Sequence, residues 1–352
     1  MREQHNGDRR FKYMAEIKKG MPWWKWGVVF LVLVLLLAAC APGAPSEANV
    51  EEGSYAEEPA AEGADQPPIQ VVYGEDGRLD VCSNCSSSEG LDDPNLQEIA
   101  SSIAILVRPE ALIVSGEDVQ LNAYSLSEKI EITKGAPMCE GQRFSDQPAP
   151  GFCTGFLVGD QILLTAGHCV PDQAACEHTA FVFSFQVDEN NEVRPIEATQ
   201  VFGCDQVLDF KIDPEDHVDY AIIRLDRPTG LPYVSVPQVD NLDLGSGLAV
   251  IGHPNGLPQK LAAFGQVLEN DPPAPYFIAS LDTFGGNSGS PVILSENDRV
   301  VGMLISGEQD YELTADGCYA VKVCQQDGSN CSGEAVMRID FLADILDAFA
   351  SP

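Results

Sequence analysis

The chain of 352 residues is poor in positive charge: 20 Lys and Arg stand against 54 Asp and Glu, a formal net charge of −34. Seven of those basic residues precede Cys40, so the rest of the chain is more acidic still. A surface of that sign repels nucleic acid and anionic headgroups, which argues against a phosphate-binding role; it leaves solubility, or attraction of cationic peptides, as uses for the acidity. Histidine is scarce, with five in all, so chemistry that needs an imidazole has few candidate positions. The apolar run at residues 27–39 is too short to span a bilayer comfortably. No second Cys-x-x-Cys accompanies Cys82-Ser83-Asn84-Cys85, so no zinc cage is completed and structural disulfides are the better reading. There is no internal repeat of fixed period. Neither a metal nor a cofactor is implied.

What is present begins with eleven cysteines, a number that points to an oxidising compartment. Lys18, Lys19 and Lys25 precede the short apolar run, and small residues close it, the pattern of a secretory signal over residues 1–39. Leu37-Ala38-Ala39-Cys40 resembles a bacterial lipobox, in which Cys40 is lipidated; the alternative is an uncleaved anchor. Met14 and Met21 are alternative starts. The expected location is therefore the extracytoplasmic face of the bacterial envelope, with membrane contact through Cys40. Residues 40–94 read as the lipidated cysteine followed by an acidic tether rich in Ala, Pro and Glu, too poor in large apolar residues to bury a core.

The folded part is expected from residue 95. A helical turn or two at 96–104 gives way to short runs rich in β-formers at 103–107, 112–114, 119–123, 130–132, 155–158, 162–166, 181–186, 197–201 and 220–225. More follow at 249–251, 262–267, 276–280, 291–294, 300–306 and 319–323. Runs this short, broken by Gly, Pro, Asn and Asp, indicate an all-β barrel or sandwich. Helical spacing of Met337, Phe341, Leu342, Ile345, Leu346 and Phe349 places one amphipathic helix at 336–349.

The stretch Thr283-Phe284-Gly285-Gly286-Asn287-Ser288-Gly289-Ser290-Pro291-Val292 suits a nucleophilic serine on a tight turn, because glycine lets two backbone N–H groups converge on one point. By itself such a cluster marks an ordinary turn. A base is available at His168, in Thr165-Ala166-Gly167-His168-Cys169, where an apolar strand ends; His253 occupies a similar place and is its rival. His5 lies in the signal region, and His178 and His217 sit in acidic loops. A Cys153–Cys169 bridge would pin the turn that carries His168. The acid that orients an imidazole has to lie beside an apolar strand, and Asp219, ahead of Tyr220-Ala221-Ile222-Ile223, fits better than Asp213 or Asp216. For the other cysteines, proximity pairs Cys82 with Cys85 and Cys318 with Cys324 or Cys331. The acidic run Asp188-Glu189-Asn190-Asn191-Glu192 lacks the spacing of a calcium loop and reads as a hairpin tip.

Four motifs in order, Phe152-Cys153-Thr154-Gly155-Phe156-Leu157, Thr165-Ala166-Gly167-His168-Cys169, Asp219-Tyr220-Ala221-Ile222-Ile223 and Gly286-Asn287-Ser288-Gly289-Ser290-Pro291, make the chain resemble the chymotrypsin/trypsin-like serine peptidases from about residue 100 onward. The last motif is similar to the bacterial glutamyl-endopeptidase-like branch. The resemblance implies two antiparallel six-stranded β-barrels with a cleft between them, over residues 95–235 and 236–352, the second carrying the C-terminal helix. It implies Ser288 as nucleophile, His168 as general base and then acid, Asp219 as its orienting partner, and the N–H groups of Gly286 and Ser288 as an oxyanion hole. The reaction implied is hydrolysis of peptide bonds in protein or peptide substrates through an acyl-enzyme, by a monomer.

Two departures matter. Animal digestive members have Asp where Asn287 stands, paired with an ammonium released by cleavage; a neutral Asn287 makes no such pair. Asp282 stands six residues before Ser288, where trypsin-like enzymes hold Arg or Lys, so a preference for those residues before the scissile bond is expected, unless Asp282 points away as a structural partner. Thr283 and Gly307 complete the implied substrate-binding set. Glu-specific relatives carry a pocket histidine, and Leu304 on the matching strand offers none. The rival readings are a catalytically silent domain used as a surface binding module, and an esterase-like hydrolase, for which a Gly-x-Ser-x-Gly elbow before a helix is missing.

Overall fold

The computed structural model describes residues 72–82, 91, 93–236, 242–325 and 328–349. The expected signal over 1–39, Cys40, most of the tether and Cys85 lie outside them. Among the described residues no helix is long and apolar enough to cross a membrane.

Chain order gives β1 (Val72–Tyr73), β2 (Arg78–Asp80), β3 (Ile103–Val107), β4 (Leu112–Ser115) and β5 (Asp118–Leu121). Then come β6 (Gly151–Gly159), β7 (Ile162–Thr165), β8 (Ala180–Phe183), β9 (Ile196–Glu197), β10 (Val201–Phe202), β11 (Cys204–Asp213) and β12 (Val218–Leu225). The last group is β13 (Gly247–Gly252), β14 (Lys260–Glu269), β15 (Tyr276–Ser280), β16 (Pro291–Leu294), β17 (Arg299–Ser306), β18 (Tyr311–Leu313), β19 (Tyr319–Val321), β20 (Val323–Cys324) and β21 (Glu334–Arg338).

One seven-stranded antiparallel sheet has the order β10-β8-β3-β6-β7-β12-β11. The second has the order β13-β16-β17-β21-β15-β14-β2, and β13 also pairs with β14. That pairing closes six strands into a barrel and leaves β2 as an outer strand on β14. The fold is all-β, with the second barrel closed and the first an incomplete barrel whose end strands β10 and β11 do not pair among the described residues. Alternation explains the strands. In β12 the register Ala221↔Thr165 and Ile222↔Leu164 sends Ile222 and Leu164 to one face and Ala221 to the other. Ile222, Leu164 and Phe156 join Ile251, Ile293 and Met303 of the second sheet in one buried cluster, so the two sheets share a core. Each such side chain stabilises the fold by about 1.5–3 kcal/mol.

Several expectations are corrected. Residues 130–132, expected as strand, lie inside the helix Leu126–Lys134, which starts with a capping box between Ser125 and Glu128 and stops at Gly135 in the left-handed region (φ 80°). The C-terminal helix is Ile339–Asp347, because residues 334–338 are claimed by β21, which pairs with both β15 and β17. The folded region starts before residue 95: β1 pairs in parallel with β20, and β2 pairs with β14. Cys318 bonds Cys139, and Cys324 bonds Cys331, in place of the expected pairing of Cys318 with one of the latter two. Cys153–Cys169 and Cys176–Cys204 are the other bridges between described residues, and Cys82 is also disulfide-bonded.

Candidate active site

His168 lies in a single 3-10 turn, Gly167–Cys169, directly after β7. Asp219 is the second residue of β12, the antiparallel neighbour of β7, so the strand register delivers the two side by side. Asp219 grips the histidine twice. Its Oδ1 accepts the His168 backbone N–H at 2.9 Å, and its Oδ2 lies 2.6 Å from Nδ1. With a proton on Nδ1 donated to Oδ2, the other ring nitrogen, Nε2, faces Cys169 Sγ at 3.7 Å. The bridge Cys153–Cys169 ties the turn to β6. The two sulfurs lie close to the imidazole, but a disulfide offers no thiolate, so the trio is not a metal site.

Ser288 sits in the loop between β15 and β16 and is buried; its Oγ has no hydrogen-bond partner among the described residues. The Oγ–Nε2 bond is therefore not made in this geometry, and bonds of this kind commonly close only around substrate. The backbone of the loop is held from the other sheet by Thr154 of β6. Its N–H donates to the Ser288 carbonyl at 2.9 Å, and its Oγ1 donates to the Gly286 carbonyl at 2.7 Å. The same Oγ1 accepts the His253 N–H at 3.1 Å, and Thr165 Oγ1 donates to the Thr154 carbonyl at 2.6 Å. Nearby, the Gly285 N–H donates to the carboxylate of Asp310 at 3.1 Å, and the Gly285 carbonyl accepts from Asn255 N–H.

These bonds leave the N–H groups of Gly286 and Ser288 with no protein acceptor among the described residues. Two unengaged donors, two residues apart and one of them on the buried serine itself, are what an oxyanion hole requires. Glycine is needed at two positions here. Gly286 has φ +99°, and a Cβ would come within 2.7 Å of the His253 carbonyl; Gly289 has φ +88°, and a Cβ would overlap the Thr154 carbonyl.

The expected substrate-binding residues divide into two groups. Asp282 is buried and turned to the N-terminal segment: Oδ1 accepts Tyr73 N–H and Oδ2 accepts Gly77 N–H, both at 2.7 Å. Of the two expectations for Asp282, these bonds match the structural partner, here of residues 73–77. Burial pushes its carboxyl up to about 6. Thr283 and Gly307 instead converge on Glu334, which the sequence did not single out. Thr283 Oγ1 donates to Glu334 Oε2 at 2.7 Å, and the Glu334 carboxyl fills the space where a Gly307 Cβ would stand. Burial raises the Glu334 carboxyl well above the usual range.

The rival histidine is structural. His253 is buried, its Nδ1 lies 2.9 Å from the Leu257 carbonyl, and burial pushes it down to about 3, so it stays neutral. His217 packs on Tyr276, and His178 is exposed, while His5 lies outside the described residues. At the acidic tip, Asp188 Oδ1 accepts the N–H groups of Asn190 and Glu192 and closes a turn. Sequence reasoning missed Thr154 and Asp310 as well as Glu334. Thr154 stood inside a quoted motif, yet its task is set by a contact 132 residues away, for which no local signal exists.

Comparison with known proteins follows the same geometry. Residues 153–303 match the model of the trypsin-like peptidase domain. A secreted RxLR effector protein of Plasmopara viticola is 31% identical over 169 residues, covering 43% of this chain and 40% of its own length. The chain thus spans about two fifths of that curated relative. Among solved structures, a Glu endopeptidase is 20% identical, covering 80% of this chain and 100% of its own, with a TM-score of 0.42. The VesB protease of Vibrio cholerae is 15% identical, covering 72% and 64%, with a TM-score of 0.43. His168, Asp219 and Ser288 all lie inside the span that resembles the trypsin-like peptidase domain.

Proposed function

We propose that the protein is a serine endopeptidase that hydrolyses peptide bonds of protein or peptide substrates through an acyl-enzyme. The observation that carries this reading is the doubly bonded His168–Asp219 pair set beside the buried Ser288 and its two unengaged N–H groups. Ser288 Oγ attacks the scissile carbonyl while His168 Nε2 takes its proton. The oxyanion is received by Gly286 and Ser288 N–H, and the imidazolium by Asp219 Oδ2. His168 then returns the proton to the leaving amine, and water repeats the sequence on the acyl group. Each oxyanion donor is worth on the order of 3 kcal/mol to the transition state.

Labelling with a fluorophosphonate tests the assignment: wild type takes the label, and Ser288→Ala and His168→Ala do not. A wild type that stays unlabelled sinks the peptidase reading. It would favour the second reading, a silent binding module, for which the open Ser288 Oγ–His168 gap is the supporting observation.

Two finer parts belong to the proposal. A preference for Arg or Lys before the scissile bond is supported by the Glu334 carboxyl beside Thr283 and Gly307, more than by Asp282, whose oxygens are taken by the Tyr73 and Gly77 N–H groups. Peptides differing only at that residue decide it; equal turnover of Lys and Leu substrates ends it. Export and lipid anchoring rest on residues 1–40 of the sequence. A clickable palmitate analogue, incorporated by wild type and lost in Cys40→Ala, supports the anchor, and its absence from wild type removes it.

A further inference from the structure

We propose that residues 72–80 form a strap whose docking sets the geometry of the oxyanion loop, with Arg78 as the positioning residue; this rests on Ser288 being the nucleophile. The strap is fixed at both ends, β1 against β20 and β2 against β14. Between them it grips the loop before Ser288 at two points. Asp282 accepts the N–H groups of Tyr73 and Gly77. Two residues on, the Arg78 guanidinium lies 3.9 Å from the centre of the Phe284 ring, and Phe144 flanks it at 5.0 Å.

Arg78 is held in a fixed plane. Its Nε and Nη2 donate to the two oxygens of Asp76 at 2.9 and 2.7 Å, while Arg143 pairs with Asp76 and donates to the Arg78 carbonyl. Phe284 opens the turn that carries the reactive groups: its carbonyl accepts Asn287 N–H at 2.9 Å, and Gly286 lies inside that turn. Arg78, Asp282 and Asn287 also line one small void together with Lys260.

A strap that only held the fold together would be served better by an apolar side chain. Arg78 is 1% exposed, and its Nη1 has no partner among the described residues, so the site retains a desolvation cost that a methionine would avoid. What the guanidinium adds is direction. A planar cation locked by Asp76 fixes the tilt of the ring it stacks on, and with it the turn that aims the Gly286 N–H.

The test compares Arg78→Met and Phe284→Leu with the wild-type full chain. Both variants keep apolar volume and remove the stack. Kinetics on a peptide amide are read beside affinity for a peptide aldehyde, which forms a tetrahedral adduct, and for the corresponding product peptide. The expected result is a fall in kcat of about 30-fold with KM nearly unchanged; aldehyde affinity falls in parallel and product affinity does not. Arg78→Lys, which keeps a cation over the ring without the fork, recovers part of kcat. Unchanged kcat, an equal loss of aldehyde and product binding, or failure of both volume-keeping variants to fold overturns the proposal. A wild type unreactive to fluorophosphonate overturns the peptidase reading and the strap with it, and is distinct from a reactive wild type whose variants are unimpaired.

Discussion

The two sides of the candidate active site are built by different means. His168, in the turn that follows β7, and Asp219, on the neighbouring β12, are held by ladder bonds and a bridge only 16 residues apart in sequence. The Ser288 side is a loop, positioned by groups far along the chain: Thr154, Asp310, Asp282 with residues 73 and 77, and Glu334. Three of those partners are carboxyl groups, Asp282 and Glu334 buried and Asp310 half-buried, each raised by desolvation. His168 is therefore set by local covalent and strand geometry, and Ser288 by a long-range polar network.

The largest effect should come from breaking the base side at its polar contact. Asp219→Asn is expected to lower kcat by about 10⁴-fold with a fold that survives, as read by steady-state kinetics and circular dichroism. Next, replacing Cys153 and Cys169 together by Ala should cost about 3 kcal/mol of stability, the value for a loop of that length, measured by urea unfolding. A smaller loss follows at the bond joining the two sides. Thr154→Val keeps the shape but strands the Gly286 carbonyl and His253 N–H, for about 1–3 kcal/mol, and Thr154→Ser restores most of it.

The smallest effect is a slope with pH that belongs to the serine side alone. Burial raises Asp310 to about 7, against the pull of Gly285 N–H, Lys134 and Arg78. A carboxyl raised on folding binds its proton more tightly in the native state. Its contribution is therefore fully present below its unfolded value near 4 and is lost as pH rises through about 7. Stability should decline across that window, and Asp310→Asn should flatten the decline in urea unfolding at stepped pH. An unchanged slope would remove the contrast between the two sides.

The same division decides what could be read from the sequence. His168, Asp219 and Ser288 each sit in a short motif whose neighbours are close in the chain, and β15 and β16 match the expected runs at 276–280 and 291–294. Residues 130–132 misled because their β-branched content outweighed the Ser125–Glu128 capping box that was there to be read. β11 went unseen because it mixes polar and apolar residues and buries none of them fully, Phe210 and Ile212 included. β2 is three residues long, too short to carry a period, and is a strand only because β14 offers an edge. Asp282 was legible as an acid near the nucleophile. Its partners, about 205 residues earlier, were not.

The Cys139–Cys318 bridge joins positions 179 residues apart, and His168, Asp219 and Ser288 all fall between them. The reactive groups thus lie on a closed covalent ring. Any single cut of the backbone within it, including one made by a second copy of this chain if the proposed peptidase activity holds, turns the ring into two arms still joined at the sulfurs. Such a nicked molecule keeps its mass until it is reduced, so self-inflicted damage would show on a gel only in the presence of a thiol, and the two sides of the candidate site would stay tethered after the first break.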